Sequence, residues 1–513
     1  MGQMKGFLSL ISKAFQILRE TYGPDKQIRA RNAPPSLQHR TNPLPKETFV
    51  FPKRKTYPSG QSHFYSLFKR RNTKQTGKIK MKKNRELFHK SKEFADRILV
   101  SLKFRNFRLY FGGMCVSLVG TWIQQIAMSW LAYKLTGSVL FLAGITFMAQ
   151  IPILLITPFA SVFVDRFNRH SILLFTQSLS ALQALLLAWL TFSGVIEIWH
   201  LMALSLALGL INALDNPARQ AFYPGLVAPE HLNNAIALHS TIINGSRLIG
   251  PAIGGIIIGI AGEAFCFFIN GISYLGVIIA LLNMHLPPRH SRKTHPPVLT
   301  DLNEGFLYVT GHLPIRSLLL LISIVSFFGL PLVTFIPAYV KDILNGESEM
   351  LGYMLSCIGL GSLMAALGLA ARKTMVGLEK LITIHTFLLG ISLSSLAFIH
   401  SPLLAALILI PAGFSIIMTV ATINSLLQAL ADEDKRGRVM GYLAMTFTGI
   451  SPLGCMALGY LEKYTRLPAI ILLAGIVCIL ASITFEYYRP LIYKYSGPLL
   501  LGKGIKKSSP PAK

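Results

Sequence analysis

The chain has 513 residues, of which 52% are hydrophobic and only 14% charged, with a mean hydropathy of +0.50. Soluble domains carry roughly 25% charged residues, so this composition excludes an ordinary soluble enzyme or binding module and calls for an integral membrane protein. A net charge of +28 would suggest a nucleic-acid partner in a soluble protein, but just over half of the 50 lysines and arginines fall in residues 1–108. The excess belongs to a basic N-terminal segment and to loops at one membrane face, and no nucleic-acid partner is expected.

Residues 1–102 read as a basic, largely disordered segment on the cytoplasmic side, rich in Pro and Ser clusters. Gly6 to Leu18 is amphipathic but too short to span, and no cleavage site follows it. Met81 opens a lead-in of the kind that precedes a first span, so residues 1–80 are expected to be dispensable or untranslated, with an organellar presequence as the minority reading. Glu86 to Leu102 is expected to lie as an amphipathic helix on the membrane surface.

From Phe107 the chain becomes a series of apolar runs, each near the ~20 residues a bilayer requires. They fall at 108–133, 139–164, 171–193, 199–217, 236–260 and 264–284. After a polar connection, six more follow at 316–340, 350–371, 378–399, 402–425, 439–461 and 467–488. The expected fold is all-α: twelve transmembrane helices in two six-helix pseudo-symmetric bundles. The domain bounds are 103–284 for the first bundle, 285–315 for a cytoplasmic central loop, 316–488 for the second bundle and 489–513 for a basic tail. Beyond residue 108, only Lys134, Lys341, Lys463 and Arg466 fall on one face, and Arg247 alone falls inside a span. All other lysines and arginines fall on the opposite face. The positive-inside rule makes that basic face cytoplasmic, with both termini and the central loop on it, in a multi-pass plasma-membrane protein. The loops before spans five and eleven, LVAPEHLNNA and LADEDKRGRV, lie about 200 residues apart, as two related halves of a transporter would place them.

The five cysteines, Cys115, Cys266, Cys357, Cys455 and Cys478, all lie in apolar runs without ligand spacing and read as small packing residues. HExxH, Walker-type and dinucleotide-binding signatures are absent. No catalytic residue, metal or cofactor is expected, and the chain does not read as an enzyme.

The turn around Asp165, Arg166 and Arg169 must sit at a membrane face. It carries Asn168 where a tight turn favours a residue tolerant of positive φ, and His170 as a titratable neighbour. Arg247 lies about 11 residues into span five, roughly 16 Å from its start. A charge at that depth costs at least about 2.5–3.5 kcal/mol, so Arg247 should face the bundle interior. With Asp215 placed at the end of span four, no span carries an acid at its middle. Three partners stay open: a structural bond to carbonyls, Asn244 or Gln124; a bridge to Asp215 if span four bends at Pro217; or an anionic group of a substrate. Gly250, Pro251, Gly254 and Gly255 permit close packing and a kink, as a hinge or as plain packing. Trp122, Gln124, Gln125 and Trp130 are candidates for a cavity lining a bulky amphipathic molecule, against a packing or interfacial role.

Several motifs together carry a family resemblance over Lys103 to Pro490. They are Asn106-Phe107-Arg108, Gly120-Thr121-Trp122-Ile123-Gln124-Gln125, the Asp165-Arg166-x-x-Arg169 loop, Asp215-Asn216-Pro217-Ala218-Arg219-Gln220, Gly-Pro-x-x-Gly-Gly in span five and Arg436-Gly437-Arg438-Val439-Met440-Gly441. The chain resembles the major facilitator superfamily, and within it the branch of enterobactin exporters and macrolide efflux pumps, the transmembrane secretion effectors. Ser161, Asn168 and His170 depart from the superfamily's loop signature. The resemblance implies alternating access and a conformational latch of Asp165, Arg166, Arg169, Asp215 and Arg438, in which Asp165 meets the N-terminus of span eleven and an arginine bridges to Asp215. A carboxylate so placed gains about 0.3–1 kcal/mol, enough to bias an equilibrium but not to lock it; the plain alternative is a solvated turn. It also implies export of a small amphipathic molecule, siderophore-like or a drug, by a monomer with protons as coupling ion and the lipid bilayer as partner. The rival readings are a same-fold importer or lysophospholipid transporter, and a membrane-embedded enzyme or scaffold.

Overall fold

The computed structural model describes residues 100–284, 298–372, 377–433 and 435–502, and every regular element in them is a helix. Met81, most of the expected surface helix from Glu86, the greater part of the central connection and the end of the tail lie outside the described residues. Val100–Lys103 forms a single 3-10 turn leading into the first span.

The first six spans are α1 (Arg105–Thr136), α2 (Val139–Arg166), α3 (Arg169–Phe192), α4 (Ile198–Phe222), α5 (Leu232–Ala261) and α6 (Glu263–Leu282). A helix not anticipated from the sequence, α7 (Val298–Gly311), occupies the end of the central connection. The seventh span is α8 (Leu313–Ile324), a π-helical turn (Val325–Gly329), α9 (Pro331–Ala338) and a second π turn (Tyr339–Ile343). Next come α10 (Ser348–Ala370), α11 (Leu378–Leu396) and α12 (Pro402–Leu430). The eleventh span is α13 (Arg436–Met445), a third π turn (Thr446–Ile450) and α14 (Ser451–Leu461), and α15 (Leu467–Gly502) closes the chain. Among the described residues, eleven spans are long and apolar enough to cross a bilayer. The twelfth, α11, has 19 residues and opens with Glu379 and Lys380; it is packed between α12 and α15.

Two expectations are corrected. Asn168 does not adopt a left-handed conformation. Its φ is −69°, and its side chain accepts from the His170 amide at 3.0 Å, so it serves as the N-cap of α3. Span four does not end near Pro217. The helix continues to Phe222, which places Asp215 inside it at 1% exposure. A membrane helix tolerates an internal proline where neighbours satisfy the freed backbone groups.

The same five helix pairings recur in both sets of six spans. Among the first six they are α1 with α5, α1 with α6, α3 with α6, α3 with α4 and α2 with α4. Their counterparts join the seventh span to the eleventh and twelfth, α11 to α15, α11 to α12, and α10 to α12. The two sets meet chiefly through α5 against α10 and α2 against α14, pairs that the same repeat exchanges. Contacts across this seam cluster toward the face opposite the basic loops, here the far face. A Cβ added at Gly255 would strike the backbone at Ser348 and Gly352, and one at Gly359 would strike the Arg247 carbonyl. Gly459 of α14 lies against Ala143 and Leu140, and Gly449 against Leu154. By contrast, a Cβ at Gly245 or Gly441, on the basic side, would meet nothing within 4 Å.

Candidate functional site

The motif at Gly250 sorts its residues onto two neighbours at helical spacing. Gly250 and Gly254, one turn apart, face Trp122, Ile123 and Ile126 of α1, while Pro251 and Gly255 face Gly352 of α10. In membranes helix association rests on such close packing rather than on a hydrophobic driving force. Pro251 also has no N–H to give the carbonyl four residues earlier, which is that of Arg247. This carbonyl points instead to Gly359 of α10, where only a glycine allows the approach.

Arg247 therefore sits at the junction of α1, α5 and α10, at the level below which Gly245 stands clear. Its guanidinium lies over the Trp122 ring, 5.4 Å from the centroid. Its buried Nε has no hydrogen-bond acceptor, and it enters no ion pair among the described residues. Of the partners considered from sequence, Asn244 donates to the Ser240 carbonyl at 2.8 Å. Gln124 donates to Gln183 at 3.2 Å and accepts from Asn270 at 2.8 Å, which ties α1 to α3 and α6 at 2% exposure. Asp215 is held elsewhere. Gln125, the next residue, is exposed. Trp130 is buried near the far end of α1, with the Lys341 ammonium 5.8 Å from its ring centroid.

A second set of charges lies toward the basic face. Asp215 pairs with Arg219 one turn on, and also accepts from Thr176 at 2.7 Å and Gln177 at 2.9 Å. The i,i+4 spacing of Asp215 and Arg219 was legible in the sequence; the donors on α3 were not. Arg169 donates to the Ala221 carbonyl at 2.9 Å, so it reaches the end of α4 without the carboxylate of Asp215. His170 Nε2 lies 2.9 Å from the Leu281 carbonyl. Asp165 ends α2 with Arg166, which is exposed. Arg438, in the first turn of α13, forms an ion pair with Glu304 of α7 at 2.6 Å, and Lys435 adds a longer ionic contact of 3.6 Å. Tyr308 of α7 donates to Asp432 at 2.9 Å. Helix α7 thus braces the start of the eleventh span in this conformation.

A third set, unanticipated from sequence, bolts the far face. Tyr133 of α1 donates to Asp342, which belongs to the last six spans. Lys341 bonds Glu347 at 2.8 Å, and Lys134 bonds Glu263 at 3.2 Å. Glu462, just beyond α14, has its carboxyl raised above the usual range by burial, with the negative Asp342 adding to the shift. A proton then binds Glu462 more tightly here than in a solvated, open arrangement. The resulting preference for closure is full below the ordinary carboxylate pKa and fades as pH rises through the raised value. Acid on the far side should therefore favour the closed far face, measured by labelling of a cysteine placed beside Tyr133, and Glu462→Gln should flatten that pH dependence. An unchanged pH profile in Glu462→Gln would remove Glu462 from this role.

The fold finds counterparts among known proteins. The staphyloferrin A transporter of Staphylococcus aureus is 25% identical over 386 residues, 74% of this chain and 95% of that protein. The multidrug efflux pump Tap of Mycolicibacterium fortuitum is 25% identical over 376 residues, 71% of this chain and 91% of the pump. Macrolide efflux protein A of Streptococcus pyogenes is 23% identical, covering 57% of this chain and 74% of its own. Among solved structures, a bacterial homologue of the iron transporter ferroportin superposes with a TM-score of 0.56 at 18% identity, over 74% of this chain and 98% of that one. These likenesses are to transporters and not to enzymes. A sequence model of the transmembrane secretion effectors matches residues 98–492, nearly the stretch between Lys103 and Pro490 that carries the motifs, and the chain belongs to that family of major facilitator transporters.

Proposed function

We propose that this transporter exports a small amphipathic molecule from the basic face to the far face by alternating access. It works as a monomer in the plasma membrane with both termini cytoplasmic, driven by protons entering in exchange. The observation that carries this reading is the Arg247–Trp122 pair, set where the two six-helix sets part toward the basic face. A cation on an aromatic face with an exposed amide, Gln125, nearby suits a molecule that is part ring and part polar. The names of the relatives, a siderophore transporter, a multidrug pump and a macrolide pump, support both the direction and the substrate size.

In this reading the far-face contacts of Tyr133 and Asp342 hold the inward-open state. The turn at Asp165, Arg166 and Arg169, with Asp215 and Arg438, latches the opposite state when Arg438 leaves Glu304. Gly250, Pro251, Gly254 and Gly255 let α5 rock against α1 and α10. Inverted vesicles that carry the full chain, supplied with a host extract, test the direction. Compounds should accumulate in the lumen only with an imposed proton gradient, and an uncoupler should abolish the accumulation. Accumulation in right-side-out vesicles instead would make the protein an importer.

A further inference from the structure

Arg247 is a permanent cation in the membrane interior, since a guanidinium keeps its proton under all ordinary conditions. A charge of this kind is retained when a counter-charge meets it, and removal of one partner of a buried pair leaves the other strongly unfavourable. Among the described residues no acid pairs with Arg247: Glu349 of α10 lies against Gly259 of α5, twelve positions along the helix from Arg247, and Glu486 pairs with Arg489. Asp215 is held by Arg219, Thr176 and Gln177. Glu263 is bonded to Lys134, and Asp342 receives the Tyr133 hydroxyl. Glu379 lies on α11, which packs between α12 and α15 and not against α5. The Trp122 ring offers its negative face, a weaker partner than a carboxylate. Nε is turned inward with no acceptor. One planar edge of the guanidinium is thus unspent, and that edge matches an oxyanion with two oxygens.

We propose that the molecule transported is an organic anion and that its carboxylate-type group is the counter-ion of Arg247, with an aromatic or alkyl body against Trp122. The inference rests on the reading of the Arg247–Trp122 pair as lying on the substrate path and narrows it to one charge class. It also ties binding to the seam. The backbone carbonyl of the same residue abuts Gly359 of α10, so a load on the guanidinium is carried to the contact that joins the two six-helix sets.

The test uses three probes with one ring system and three charges: 2-naphthoate, 2-naphthamide and 2-naphthylmethylammonium. They are titrated calorimetrically into the full chain in phosphatidylcholine nanodiscs. The naphthoate should bind at least about tenfold more tightly than the other two, the scale of one charge-assisted contact. Arg247→Gln should bring the three within about twofold of one another, and Arg247→Lys, which keeps the charge and loses the fork, should retain part of the preference. Thermal unfolding of each variant confirms that the fold is kept, and Arg247→Lys carries the test should Arg247→Gln not fold. The proposal is overturned if naphthoate binds no better than the amide, or if its preference survives in Arg247→Gln. An anionic lipid headgroup would satisfy the same chemistry. If phosphatidylglycerol in the nanodisc abolishes naphthoate binding, the counter-ion is lipid and the substrate assignment fails. In the vesicle experiment, an exported compound that is neutral or cationic defeats the anion assignment and leaves export intact, whereas no exported compound defeats export itself.

Discussion

Replacing Gly352 by leucine is expected to pry the far face open and abolish transport. The Cβ of any residue there would lie 2.6 Å from the Pro251 carbonyl oxygen and 3.1 Å from the Gly255 Cα, both backbone atoms that cannot swing aside. Overpacking of this sort costs about 1–3 kcal/mol, which shifts the ratio of closed to open far face by roughly fivefold to 150-fold. In the proposed cycle α5 and α10 separate when the far face opens, so the penalty falls on one conformation only. The fold should therefore survive while turnover collapses. Gly112→Leu is the control, since Gly112 is exposed and its Cβ would meet nothing within 4 Å. Spin-label distances between the far ends of α5 and α10 should lengthen in Gly352→Leu and stay put in Gly112→Leu. Normal distances together with normal transport in Gly352→Leu would show that the seam is not the moving contact.

The second large effect concerns stability. Arg219→Met should destabilise the protein by about 3–5 kcal/mol, because Asp215 stays buried at 1% exposure with only the Thr176 and Gln177 donors. Asp215→Asn in the same chain should recover most of that loss, since an amide can share those donors without a net charge. Thermal unfolding in detergent of the two single variants and the double variant gives the coupling directly. If the double variant is as unstable as the sum of the singles, the two residues act independently and the pair does not hold α3 and α4 together.

How far the sequence could be read follows from which signals are local. Span positions were legible because each is a long apolar run between charged or glycine-marked turns, and Arg247 was legible as an interior charge, though not its partner, because a lone arginine in such a run is too costly to face lipid. The stacking of Arg247 on Trp122 could be named only as two separate candidates, since they lie on different helices. Asp215 was misplaced because proline usually ends a soluble helix, while here the helix runs on through Pro217. Helix α7 was missed because its connection is polar and its packing on α13, through Gly305 against Tyr442 and Arg438, is a tertiary fact. The Tyr133–Asp342 contact joins residues 209 positions apart, beyond any spacing rule. The π turns leave no mark at all, because one additional residue per turn changes neither composition nor hydropathy.

Those π turns carry a consequence for how such a protein can change. Among the described residues all three lie in the last six spans, while Arg247 and the Asp215–Arg219 pair lie in the first six. In the proposed reading, recognition at Arg247 and compliance at the π turns fall in two different stretches of one chain. Substitutions that alter which charge is carried should gather before residue 284, and those that alter speed without altering preference should gather around 325–343 and 446–450. A population selected for a new cargo and one selected for faster clearance of the old cargo would then diverge in opposite halves of the gene.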